Sequence, residues 1–86
     1  MSRYEITFAR SARRELEALE TPLVARVWAR IQALGGQPRP PGCRKVQGEE
    51  DVWRIRVGDY RVLYEIKDAA RVVDIVAVRH RRDVYR

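Results

Sequence analysis

The chain has 86 residues, 45% hydrophobic and 35% charged. That length suits one domain with a single core and excludes a multi-lobed enzyme, because so short a chain buries only roughly 60 to 65% of its unfolded surface. Lys and Arg number 18 against 12 acids, for a net charge of +6, which suits an anionic partner such as nucleic acid or an acidic protein.

Sixteen of the 18 basic residues are Arg. Arg is always charged and forks bidentately onto phosphate or carboxylate, so the bias favours anion recognition over proton transfer by Lys; GC-rich codon usage produces the same enrichment without any functional demand. The lone Cys43 allows neither an internal disulfide nor a zinc cluster built on thiolates, which points to a reducing, cytoplasmic setting. No stretch approaches the ~20 apolar residues of a membrane span. Arg3, Glu5 and Arg10 interrupt any apolar run of the signal-peptide type.

Tyr4–Phe8 alternates in character and predicts a short strand with Tyr4, Ile6 and Phe8 on one face. A first helix follows, with Ser11 as the expected N-cap and Ala12, Leu16 and Leu19 on its apolar side. Thr21-Pro22 reads as a cap and first-turn proline opening a second helix. Its apolar stripe is Leu23, Val24, Val27, Trp28, Ile31 and Leu34, and Gly35-Gly36 ends it. With so short a linker the two helices form an antiparallel hairpin.

Residues 37–42 carry three prolines and read as a loop. Arg44-Lys45-Val46 begins a short strand, and residues 48–51 form an acidic turn. Val52–Val57 and Tyr60–Lys67 flank Gly58-Asp59, where Gly at the first position of a two-residue loop suits a type II′ hairpin. A last strand, Arg71–Val78, follows a tight turn at Ala69-Ala70, and residues 80–86 form a short basic tail. The expected fold is α+β: an N-terminal strand and a helical hairpin packed on one face of a mostly antiparallel sheet of four to five strands, in one domain spanning 1–86.

The two-residue hairpin loop sets a register in which Val57 faces Tyr60, Arg56 faces Arg61, Ile55 faces Val62, Arg54 faces Leu63 and Trp53 faces Tyr64. Alternation then puts Trp53, Ile55, Val57, Tyr60, Val62, Tyr64 and Ile66 under the helices and projects Arg54, Arg56 and Arg61 from the other face. Like charges directly opposite one another cost a few tenths of a kcal/mol up to about 1. Two readings of the cluster follow from pattern alone: a phosphate site, or solvated arginines relieved by Glu65 or other acids.

The tail holds Arg79, Arg81, Arg82 and Arg86 with Asp83, and extends the cationic patch if the last strand neighbours the hairpin. Tyr85 is either a ring for base stacking, worth about 1 to 3 kcal/mol per base, or a packed terminal residue. His80 is the only histidine, read either as a surface or packing group or as a titrating side chain. No metal-ligand spacing, Gly-rich phosphate loop or nucleophile elbow is present in the sequence.

The run from Lys45 through Gly48, the run from Asp51 to Ile66, and the ending His80 to Arg86 closely resemble the RelE branch of the RelE/ParE toxin superfamily. The proline-rich loop and the helices before it fit as well, so the resemblance spans essentially the whole chain. It implies the toxin of a type II toxin–antitoxin pair: a ribosome-dependent, metal-free endoribonuclease that cuts mRNA in the decoding site through 2′-OH attack and leaves a 2′,3′-cyclic phosphate. By the same resemblance the catalytic set is Arg54, Arg56, Arg61, Arg81 and Tyr85, with Lys45, Arg79, His80 and Arg82 as secondary RNA-binding candidates. Studied members carry lysines where this chain has Arg54 and Arg56, and Arg79 stands where relatives often have Gly. The implied partners are an acidic RelB-like antitoxin, the ribosome and mRNA, with DNA met only through the antitoxin complex and no membrane. The alternatives are a ParE-like gyrase inhibitor and a weakly catalytic RNA-binding, antitoxin-bound regulator.

Overall fold

The computed structural model describes residues 3–84. The chain runs β1 (Glu5–Phe8), α1 (Arg10–Glu17), α2 (Thr21–Ala33), β2 (Arg44–Lys45), β3 (Val52–Val57), β4 (Tyr60–Lys67), β5 (Val72–His80) and a single turn, α3 (Arg81–Val84). The strands form one five-stranded sheet in the order β1-β5-β4-β3-β2. Only the β1–β5 pair is parallel; the other three pairs are antiparallel.

The core lies between the helices and one face of the sheet. Ala12 and Leu16 of α1 and Val27, Ile31 and Leu34 of α2 and its end meet Ile55, Val57, Val62, Tyr64, Ile66, Val73, Ile75 and Val78. Trp53 and Tyr60 are part-buried against the same cluster, so the whole set expected under the helices is found there. Trp28 departs from the helical stripe. It is 44% exposed and its ring stacks on Phe8 at 5.8 Å, at the margin of the core.

Both expected helix caps shift upstream. The Ala9 N–H still bonds to the Ile75 carbonyl, extending the β1–β5 pairing, and its carbonyl accepts the Arg13 N–H. The helix therefore starts at once, with Ala9 in the cap position and Ser11 already inside the first turn. For α2 the cap is Glu20, whose carbonyl accepts from Leu23 and Val24, and Thr21-Pro22 opens the first turn. No side chain caps either helix.

The β3–β4 hairpin has the expected register in every rung, from Val57 facing Tyr60 to Trp53 facing Tyr64. Gly58 takes φ 59°, the left-handed geometry that the first residue of a type II′ turn requires. The last strand begins one residue later than expected, because Arg71 takes φ 55° in the preceding turn. It also runs two residues further, to His80, because Arg79 and His80 pair with Arg61 and Tyr60.

A bulge interrupts β5. Leu63 faces Ala77 while Tyr64 faces Ile75, which leaves Val76 as an extra residue. Strict alternation from Ile75 would send Arg79 into the core. The bulge turns Val78 inward instead, where it is buried, and sends Arg79 to the helix-free face. No helix among the described residues is long and apolar enough to cross a membrane.

Candidate RNA-binding site

Two rungs of the sheet build the site on the helix-free face. Arg56 lies opposite Arg61 across β3–β4, and Arg44 lies opposite Arg54 across β2–β3. Arg54 and Arg56 are two residues apart, so alternation puts all four side chains on one face. They line, with Gly42, a recess of about 190 Å³ that, among the described residues, has no acidic residue in its wall. Arg61 is only 7% exposed, and its buried Nη1 has no hydrogen-bond partner among the described residues. The Arg56 Nε donates to the Gly58 carbonyl at 3.3 Å, which ties its fork to the hairpin turn.

Burying a guanidinium among like charges is costly, and an anion that meets it offsets that cost. Several fixed N–H forks converging on one recess are suited to non-bridging phosphate oxygens and to charge developing on them. The arrangement has the chemistry to receive an oxyanion.

The proline-rich loop delivers Gly42 and Arg44 to this recess and is pinned from the core side. The Tyr64 hydroxyl donates to the Pro38 carbonyl at 2.8 Å. Arg39 grips Asp68 through two bonds of 3.3 and 2.9 Å, and its guanidinium lies over the Trp53 ring at 5.1 Å. The Tyr4 hydroxyl donates to the same carboxylate at 2.6 Å. Hydrogen bonding from Arg39, then from Tyr4, holds the Asp68 carboxyl below its ordinary pKa, and the Asp68 bond raises that of Tyr4. Burial is the main cause that raises the Tyr64 phenol.

The other sequence candidates do not line the recess. Lys45 is exposed and lies opposite Trp53, so alternation turns it to the other face from Arg44. Arg79 is the cross-strand neighbour of Arg61, but Glu15 of α1 draws it aside. One Glu15 oxygen accepts from Arg79 Nε at 3.3 Å and the other from the Val78 N–H at 2.9 Å. Arg79 sits instead at the rim of a shallow groove of about 370 Å³ floored by Val46, Val52, Leu63, Val76 and Ala77.

His80 packs edge-on against Tyr60 at 5.3 Å, and its Nδ1 accepts the Arg82 N–H. Arg81 and Arg82 are exposed at the start of α3, where the Arg81 N–H bonds to the Asp59 carbonyl of the hairpin turn at 2.7 Å. Tyr85 lies outside the described residues. Among the described residues, no group of three or more His, Cys, Asp or Glu side chains is placed to hold a metal ion. Arg44 is the residue that sequence reasoning missed. The signal was its place one residue before Lys45 in a short strand, but no pairing partner for that strand could be read locally.

Residues 6–85 match the family model described as the ParE toxin of the type II toxin–antitoxin system, parDE. Toxin RelG of Mycobacterium tuberculosis is 33% identical over 84 residues, covering 96% of this chain and 97% of RelG. The RelBE2 toxin–antitoxin complex of the same organism contains a chain that superposes with a TM-score of 0.79 at 30% identity, covering 91% of this chain and 98% of that one. The archaeal RelE–RelB complex of Pyrococcus horikoshii gives 0.81 at 26% identity, with 94% and 97% covered. The five-stranded sheet under two helices, its arginine-bearing hairpin and these relationships place the chain in the RelE/ParE superfamily of type II toxins, on the RelE branch.

Proposed function

We propose that this toxin is a ribosome-dependent endoribonuclease that cuts mRNA in the decoding site and so stops translation. The observation that carries the reading is the recess walled by four arginines, among them the buried Arg61. In the proposed reaction the ribose 2′-oxygen attacks the adjacent phosphorus. A 2′-O–P bond forms, the P–O5′ bond breaks, the 2′ proton is lost, and the departing 5′-oxygen gains one. The products are a 2′,3′-cyclic phosphate and a 5′-hydroxyl.

Arg54, Arg56 and Arg61 hold the scissile phosphate and neutralise the charge that builds on its oxygens. Arg81, tied to the hairpin turn through its backbone, assists the leaving 5′-oxygen, and Tyr85 stacks on or orients a base. His80 and Arg82, beside the hairpin turn, contact the message around this centre, whereas Lys45 faces away from the recess and Arg79 is held by Glu15. Arginines cannot serve as conventional general bases at physiological pH, so the protein contributes mainly charge and position, with alignment supplied by the ribosome. An acidic RelB-like antitoxin is the proposed partner. The chain's net charge of +6 suits it, and the RelBE2 and archaeal RelE–RelB structures are toxin–antitoxin complexes.

In vitro translation with primer extension on a defined message tests the proposal. Wild type gives discrete cuts within codons, and Arg61→Ala reduces them by about 100-fold or more. The matching family model is named for ParE, so a gyrase supercoiling assay belongs beside it. Inhibited supercoiling with intact message would replace the nuclease reading.

A further inference from the structure

The geometry points to a receptor for two successive phosphates, with the Arg56–Arg61 rung holding the scissile one and the Arg44–Arg54 rung holding its neighbour on the same strand. This rests on the proposal that RNA is the substrate, and it assigns Arg44 a part in positioning the message.

Three observations carry it. The rungs are two residues apart along β3, a rise of roughly 6.6 Å, which is comparable with the separation of neighbouring phosphates along a nucleic acid strand. Four guanidiniums line the recess, and among the described residues no carboxylate lines it with them. One phosphodiester brings a single negative charge and leaves three guanidiniums uncompensated, whereas a second phosphate meets the outer pair. The backbone leading to Arg44 is also anchored before any ligand arrives, because Gly42 and Cys43 precede it in a loop pinned by the Tyr64–Pro38 and Arg39–Asp68 bonds. Orientation paid in advance raises the affinity gained per contact.

The test uses a 2′-O-methyl trinucleotide, which cannot be cut, with both linkages charged, and the same trinucleotide with either linkage replaced by a neutral methylphosphonate. The full chain is titrated at low salt, reading the arginine Nε–Hε resonances by NMR. Neutralising either linkage weakens binding to wild type by about tenfold, the scale of one charge-assisted contact. In Arg44→Gln the same replacement costs less than about twofold, while Arg61→Gln weakens all three probes. Equal affinity of wild type for the three probes, absence of binding, or an unchanged tenfold penalty in Arg44→Gln would overturn the inference. The probes need no ribosome, so the two ideas fail separately. A two-charge preference without cuts in translating extract removes only the nuclease reading, and cuts without that preference remove only the two-phosphate receptor.

Discussion

Arg61 is 7% exposed, its Nη1 lacks a partner among the described residues, and its cross-strand neighbours are Arg56 and Arg79. Desolvating a charge among like charges destabilises the folded chain, and the cost is retained only where an anion repays it. Replacing Arg61 with Met keeps most of the aliphatic volume and removes the charge. The Arg61→Met protein is therefore expected to gain about 1 to 3 kcal/mol, and with it several degrees in Tm by calorimetry, while losing message cleavage. A lower Tm would mean that the guanidinium is stabilising in the empty site. That Arg61 shares a face with Arg54 and Arg56 was legible from alternation in the hairpin. Its burial was not, because the walls beside it come from β2 and β5, which are distant in sequence.

At the scale of elements, the hairpin was the best-specified part. A two-residue Gly58-Asp59 loop leaves one register that keeps Ile55, Val57, Val62 and Tyr64 together on the core side. The helix starts were read one or two residues late, since propensity favours Ser11 and Thr21 as caps while strand pairing at Ala9 and the turn at Glu20 determine where the backbone becomes helical. The proline-rich loop was recognisable as a loop, but its attachment was not. Asp68 anchors it through Arg39, and hydrogen bonds hold that carboxyl below its ordinary pKa. A depressed carboxyl stabilises the fold above its unfolded pKa, and that contribution is lost as pH falls through the folded value. Asp68→Asn is accordingly less stable than wild type in urea at pH 7, with the gap closing as pH drops below about 4. A gap that stays constant with pH would detach the loop's anchoring from this charge.

For the whole molecule, a net charge of +6 and a cationic recess on the helix-free face make the encounter with RNA, on the proposed function, electrostatic. Raising salt from about 50 to about 200 mM at subsaturating toxin is expected to slow message cleavage by about tenfold or more, with little change at saturation. A salt-independent rate under both conditions would place recognition elsewhere. The sequence by itself determined the α+β class, the order of elements from β1 to β5, the hairpin register and the side of the sheet on which Arg54, Arg56 and Arg61 stand, because turn chemistry and period-two alternation act between near neighbours; the closing turn α3 was read as a tail. Tertiary structure alone decided that β2 carries Arg44 opposite Arg54, that a bulge at Val76 returns Arg79 to the outer face, that Glu15 then holds it aside, and that Arg61 is buried. Each of these depends on which distant strands and helices pack together, a choice made by the energy of the assembled core and not by any local segment.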